Sequence, residues 1–257
     1  MMDKDTSNMQ RCMKRGLEAM RLLMVIPAYN EEDNIIRVVN SIKEQYPEYD
    51  YIVVNDGSTD HTSRRCHREG FEIIDLPVNL GLAGAFQTGL KYAYRKKYDC
   101  VLQFDADGQH KPEYIESMLE KMEQGYDIVI GSRYVTRKKP ASWRMLGARM
   151  ITIAIKLTTG KRISDPTSGM RMFSKAMIKE FAVNMNYGPE PDTISYLLKQ
   201  GASITEVQVE MDERISGTSY LNVTRSAMYM VRMLVSILFI QSFRKRDDKH
   251  VIMKRGG

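Results

Sequence analysis

The sequence predicts a doubly wound α/β fold, a mostly parallel sheet flanked by helices. Three observations lead there. Apolar, β-branched runs of four or five residues recur through the first half of the chain and stop at turn residues. Runs of that kind fit strands buried on both faces of a parallel sheet. Segments with helical spacing alternate with them, as strand–helix–strand units require. The 257 residues, 43% hydrophobic and 27% charged, can fill a real core, which excludes a disordered tail, a collagenous chain and a disulfide mini-scaffold.

The elements follow in order. Leu22-Leu23-Met24-Val25-Ile26 reads as the first strand, ending at Pro27. A helix over Glu31 to Gln45 follows, with Ile35, Val38, Val39 and Ile42 on one face. Strands are expected at Tyr51 to Val54, Phe71 to Ile74, Val101 to Phe104 and Asp127 to Ile130. Helices are expected at Gly84 to Lys97 and at Pro112 to Gln124, where Pro112 suits a first turn. Beyond Tyr134 the pattern loosens. Arg137 to Pro140 reads as an exposed loop, Met145 to Thr159 as an apolar helix and Ser164 to Gly169 as turns. Asp192 to Lys199 reads as a helix, Ile204 to Val209 as a strand, and the chain from Thr224 as a Met- and aliphatic-rich helix with a basic tail, Arg244-Lys245-Arg246. Residues 1–20 form an extension, 21–220 the main domain, and 221–257 an amphipathic helix and tail.

Bulk properties narrow the partners. Lys and Arg number 38 against 32 Asp and Glu, a net charge of +6 that suits anionic partners. Cys12, Cys66 and Cys100 have no metal-ligand spacing and fit a reducing compartment. The N-terminus lacks the apolar stretch of a signal peptide, and Ala227 to Phe243, interrupted by Arg232, Ser236 and Gln241, falls short of the roughly 20 residues that span a bilayer. No Walker-type phosphate loop is present, against an ATPase. No nucleic-acid module accompanies the basic tail.

Chemistry concentrates directly after the expected strands, where open parallel sheets bind ligands. Pro27-Ala28-Tyr29-Asn30-Glu31 reads either as a turn with Asn30 capping the next helix or as a ligand contact. Asn55-Asp56-Gly57-Ser58 is either a tight turn or a site where Asp56 accepts from a nucleobase or ribose. Phe104-Asp105-Ala106-Asp107-Gly108-Gln109-His110 decides the balance. Two carboxylates at one strand tip repel unless a divalent cation, Mg²⁺ or Mn²⁺, neutralises them. Asp107 and Gln109 are the candidate direct ligands, with Asp105 near the ribose or the metal. Such an ion stabilises a departing diphosphate.

Val25 to Glu31, Val53 to Asp60, Asn79 to Ala85 and Asp105 to Pro112 together resemble family 2 glycosyltransferases of the GT-A fold, a Rossmann-like architecture. Gly131-Ser132-Arg133, Asp165 to Arg171 and Arg214 to Ser219 are similar to the dolichol- and polyprenyl-phosphate branch, although Tyr220 stands where lysine is usual. The resemblance implies inverting transfer from a nucleotide diphosphate sugar. It implies that Pro27, Ala28, Tyr29, Glu31 and Asp56 hold the nucleoside. Asp105, Asp107 and Gln109 would hold the ribose, diphosphate and metal, with Arg133 and Arg214 near the phosphates.

A polyprenyl phosphate acceptor needs no general base, because a phosphate monoester is mostly dianionic at neutral pH. Arg133, Arg171 and Arg214 are then the candidate acceptor-phosphate residues, since arginine pairs bidentately with phosphate. Such an acceptor places the enzyme at the inner face of the cell membrane, peripheral, with a small membrane protein as a further candidate partner. The apolar helix from Met228 to Phe243, with Arg225, Arg232 and Ser236 on a polar strip, would lie in the interface or pack on protein. The alternatives are transfer to a sugar hydroxyl with Glu190 or Asp192 as base (Asp192 otherwise capping a helix), and a non-catalytic nucleotide-sugar-binding subunit. Residue pattern alone chooses neither the base of the donor nor its sugar.

Overall fold

The computed structural model describes residues 20–137, 139–140, 143–185, 188–211 and 223–241. Strand β1 (Leu22–Ala28) is buried along its whole length and lies centrally. It pairs in parallel with β2 (Asp50–Asn55) on one side and β4 (Cys100–Gln103) on the other, and β3 (Ile73–Asp75) adds to β2. Beyond β4 the order continues through β6 (Arg171–Ser174) and β5 (Ile128–Ser132) to β7 (Ile204–Gln208). β6 runs antiparallel to both β4 and β5, whereas β5 and β7 are parallel. The expected mostly parallel sheet is thus present, with one reversed strand wedged into it.

Alternation along β1 explains the layering. Leu23 and Val25 enter one core with Phe86, Leu90, Ile151, Phe173, Phe181 and Ile194. Leu22, Met24 and Ile26 enter the other with Ile35, Val39, Ile42, Met118 and Leu119. Successive side chains of a strand point to opposite faces, so a strand covered on both sides must be apolar throughout. One face carries α1 (Ile35–Gln45), α2 (Thr62–Arg68) and α4 (Ile115–Glu123, after a 3-10 turn at Pro112–Tyr114). The other carries α3 (Gly81–Lys96), α5 (Trp143–Thr159), α6 (Lys175–Lys179, continuing as a π-turn to Asn184), α7 (Pro191–Lys199) and α8 (Val223–Val235, continuing to Ile240). Gly89 of α3 lies so close to β1 that a Cβ there would stand 2.3 Å from Val25 Cγ1. Any larger residue would overpack this contact.

Several boundaries differ from the sequence reading. α1 starts at Ile35 rather than Glu31, because Asn30 takes a left-handed φ of 54° and is not a helix cap. α3 starts earlier, at Gly81. The strand expected from Phe71 is confined to Ile73–Asp75, where it pairs with Val53 to Asn55. α2, α6 and β6 have no counterpart among the expected elements. Cys66 and Cys100 are buried and form no disulfide with each other. Among the described residues no helix is long and apolar enough to cross a membrane. The N-terminal extension, the basic tail, Cys12 and Tyr220 lie outside the described residues.

Candidate active site

Parallel pairing brings the carboxyl ends of β1, β2, β4 and β5 to one edge of the sheet, and reversed β6 starts at that edge with Arg171. Loops after these strands therefore meet in space although the sequence separates them by up to a hundred residues or so. Pro27 and Ala28 end β1 itself; Tyr29 and Glu31 come from the first loop, Asp56 from the second, Asp105, Asp107 and Gln109 from the third and Arg133 from the fourth.

The first two loops are laced together by hydrogen bonds. The amide of Asn30 donates to Ser58 Oγ (3.0 Å), that of Glu31 to Thr62 Oγ1 (2.9 Å) and that of Glu32 to Asp60 Oδ2 (3.2 Å). In return, Thr59 N donates to Asn30 Oδ1 at 2.8 Å. Asn30 is thus a crosslink between loops, which explains its unusual backbone. Asp56 is buried at 3% exposure; its amide donates to Ala28 O and its Oδ1 accepts from Leu80 N at 2.7 Å. Gly57, at φ 64°, has its Cβ position 2.7 Å from the carbonyl carbon of Val78, so only glycine lets that third segment pass.

The third loop holds the two carboxylates. Asp107 Oδ1 accepts from Gln109 N at 3.0 Å across Gly108, whose φ is 77°. Asp105, Asp107 and Gln109 are all partly exposed. Buried His110 is the residue that the sequence reading left without a role. Its Nδ1 accepts from Asp105 N at 3.0 Å, which leaves the proton on Nε2, 3.5 Å from Asp105 Oδ2. One imidazole thereby fixes both the backbone and the carboxylate of Asp105. Gly169 closes in from the other side: a Cβ there would lie 2.3 Å from Asp105 Oδ2. Gln103 donates to Asp105 Oδ1 at 3.4 Å, and its own Oε1 is buried with no hydrogen-bond partner among the described residues.

This donor set fits a hard divalent cation. It offers two carboxylates and amide oxygens on one short loop, and such ions are held by one or two carboxylates together with substrate phosphates. Among the described residues no group of three or more His, Cys, Asp or Glu forms a complete cage, so part of the coordination would have to come from substrate and water.

The arginines are placed differently from one another. Arg133 grips Asp165 with both prongs of its fork, Nε to Oδ2 at 2.7 Å and Nη2 to Oδ1 at 3.0 Å. Burial pulls its pKa down, but the Asp165 carboxylate more than offsets this and holds the guanidinium firmly charged. Asp165 is itself seated by Glu206, which accepts from the amides of Ser164 (2.7 Å) and Asp165 (2.8 Å). Arg171 is buried between β4 and β5, opposite Gln103 and Ile130, and donates to Pro166 O at 2.7 Å. Burial lowers its pKa, while the charges of Glu190, Asp165 and Asp105 resist that. Arg171 thus lies beneath the carboxylates as a counter-charge and does not line an accessible acceptor surface. Arg214 lies outside the described residues.

Glu190 and Asp192 are both engaged by α8. Glu190 Oε2 accepts from the hydroxyl of Tyr229, Asp192 Oδ2 accepts from Ser236 Oγ at 2.6 Å, and Gln241 donates to the carbonyl of Asp192. Burial and the neighbouring Glu190 raise the Tyr229 pKa far above its ordinary value, so it stays a donor. Asp192 is not the cap of α7; that position belongs to Glu190, whose side chain makes no capping bond. Ser236, expected on an exposed polar strip, faces inward instead.

Comparison with known proteins gives the family. The model of glycosyl transferase family 2 matches residues 24–181. The polyprenol monophosphomannose synthase of Mycolicibacterium smegmatis is 27% identical over 226 residues, covering 82% of this chain and 85% of that protein. The undecaprenyl-phosphate mannosyltransferase of Micrococcus luteus is 29% identical over 229 residues, covering 80% and 93%. Glucosyl-3-phosphoglycerate synthase from Mycobacterium tuberculosis, solved with Mn²⁺ and UDP-glucose, superposes with a TM-score of 0.66 at 19% identity, covering 90% of this chain and 82% of that one. The likeness at that identity is one of fold, GT-A. The chain belongs to glycosyl transferase family 2 and is a glycosyltransferase.

Proposed function

We propose that this glycosyltransferase moves a sugar from a nucleotide diphosphate sugar onto a polyprenyl phosphate, with inversion at the anomeric carbon, working peripherally at the inner face of the cell membrane. Pro27, Ala28, Tyr29, Glu31 and Asp56 hold the nucleoside, and the laced first and second loops keep that seat rigid. Asp105, Asp107 and Gln109 hold the diphosphate through a divalent metal, Mg²⁺ or Mn²⁺. When bound, that metal supplies the positive charge that a departing diphosphate requires.

An oxygen of the acceptor phosphate attacks the anomeric carbon from the face opposite the diphosphate. The new C–O bond forms as the old one breaks, and its electron pair leaves with the nucleoside diphosphate. The dianionic acceptor is already a nucleophile, so no proton has to be removed. Positive charge must instead bring two anions together. Arg133, fixed by Asp165, supplies it beside the site, Arg171 compensates the carboxylates from below, and Arg214 is the candidate for direct phosphate contact.

The observation that carries this reading is the engagement of both alternative bases. Glu190 and Asp192 spend their carboxylates on Tyr229 and Ser236, while the candidate donor-holding loops converge at the same sheet edge. Relatives named polyprenol monophosphomannose synthase and undecaprenyl-phosphate mannosyltransferase support this reading. The test is a screen of radiolabelled nucleotide sugars with undecaprenyl phosphate and Mn²⁺ or Mg²⁺. A chloroform-soluble labelled product is expected, abolished by EDTA and retained within tenfold by Glu190→Gln. Label appearing only in water-soluble glycan, and lost in Glu190→Gln, would overturn the assignment in favour of a hydroxyl acceptor.

A further inference from the structure

α5 and α8 violate the usual rule for surface helices. A helix on a soluble protein buries one apolar stripe and shows water a polar one. α5 buries Ala148, Ile151, Ala154 and Ile155, yet also exposes Leu146, Met150, Ile153 and Leu157, the last at 76%. These four recur at spacings of four, three and four residues and so form a second apolar stripe. α8 buries Met233 and Ile237 together with the polar Ser226, Ser236 and Gln241, yet exposes Met228, Val231, Val235 and Phe239 as a second apolar stripe. The two helices touch, and the seat is close; a Cβ on Gly147 would come within 2.8 Å of Met230 Cγ. A contiguous exposed apolar ridge of this kind marks an interaction surface.

Directly beside it is a cavity of about 640 Å³ between α5, residues 134–137 with Lys139, and Arg162 and Ser164. Arg137, Lys139, Arg149, Lys156 and Arg162 line it. Its wall is fixed in place: Lys139 Nζ donates to Thr152 Oγ1 at 3.1 Å and Arg149 Nη2 to Lys139 O at 2.8 Å. The carboxylates that face this region are already committed, Glu210 to Arg137, Asp165 to Arg133, and Glu206 to two backbone amides. Arg149, Lys156 and Arg162 are exposed, and no ion pair to any of them forms among the described residues. Apolar side chains flanked by cations match an anionic bilayer, whose headgroups are negative and whose interior is hydrocarbon.

We infer that the α5–α8 pair is a membrane-docking face whose basic cavity seats the phosphate headgroups of anionic phospholipids. Leu146, Met150, Ile153 and Leu157 enter the interface while Arg149, Lys156 and Arg162 meet the headgroups. Docking there sets the edge that carries Arg133 and Asp165 against the bilayer, since Tyr134 and Ser164, their immediate neighbours, line the same cavity. The inference rests on the lipid-acceptor reading for its purpose only.

Vesicle sedimentation of the full chain, with neither donor nor acceptor present, tests docking apart from transfer. Strong partitioning onto phosphatidylglycerol-containing vesicles is expected, with weak partitioning onto pure phosphatidylcholine. The triple change Arg149→Gln, Lys156→Gln, Arg162→Gln should weaken binding roughly a hundredfold, each cation near an anionic surface contributing about fivefold. Ile153→Asp with Leu157→Asp should weaken it on both vesicle types, with an unchanged thermal melt because both positions are exposed. Equal partitioning of wild type and triple variant would overturn the inference. So would dimerisation by ultracentrifugation that the aspartates abolish without any vesicle binding, which would make the ridge a contact between copies. Slowed transfer by the triple variant to a short-chain, water-soluble polyprenyl phosphate would instead assign the cavity to the acceptor, again overturning it.

Discussion

Two halves of the molecule meet at one sheet edge and are built on different principles. The half ending at His110 sets its site locally: each strand is followed at once by its candidate residues, and hydrogen bonds within and between adjacent loops hold them. The half beginning at Gly131 relies on bonds to carboxylates that reach far along the chain, the Arg133–Asp165 ion pair and the Asp165 amide donating to Glu206, and on helices whose outer faces are apolar. The contrast teaches that one side of a site can be written into short motifs, whereas the other must be assembled from remote segments.

Substitutions that separate activity from stability would break this contrast or sharpen it. The largest effect is expected for Asp107→Asn, which removes charge at a partly exposed loop without emptying the core. Turnover should fall about a hundred- to a thousandfold, the usual scale for losing one electrostatic element of a site, with an unchanged melting temperature. A loss of stability matching the loss of rate would show that the loop is structural. On the other side, Asp165→Asn should cost roughly 2–4 kcal/mol in urea unfolding, because it leaves the largely buried Arg133 without its counter-charge. Were that variant as stable as wild type, the charge pair would not organise the second half.

The smallest effect concerns pH. Burial pushes the Cys66 thiol, on α2 in the first half, up to about 11. The folded state therefore keeps a proton that the unfolded state releases nearer 9. Stability from this group is complete below pH 9 and is lost as pH rises towards 11, by on the order of 1–2 kcal/mol. Urea midpoints of wild type and Cys66→Ala at pH 8 and 10.5 check this; parallel declines would exclude the thiol as the cause.

The same division governs what the sequence makes legible. β1, β2, β4 and their trailing carboxylates are readable because buried parallel strands are continuous apolar runs and their loops follow directly. β6 is hidden because Arg-Met-Phe-Ser is short and alternating, and its place depends on partners some 40 to 70 residues away in sequence. The Arg133–Asp165 pair is hidden for the same reason. Asn30 misleads because a residue suited to capping is used to join two loops. α8 misleads because its polar residues answer acids on α7 and not water. His110 carried a usable signal, a lone imidazole five residues from a strand-tip carboxylate, but only coordinates reveal which ring nitrogen it turns to the backbone.

The reversed strand has one more implication. Because β6 interposes itself between β4 and β5, the loops that end at His110 and the segments that begin at Gly131 hang from separate ladders that share only this narrow ribbon. Natural variation or laboratory redesign is then free to exchange what lies past Ser132 while the cradle of the first half stays intact. Swapping the cradle would be harder, since its loops hold one another.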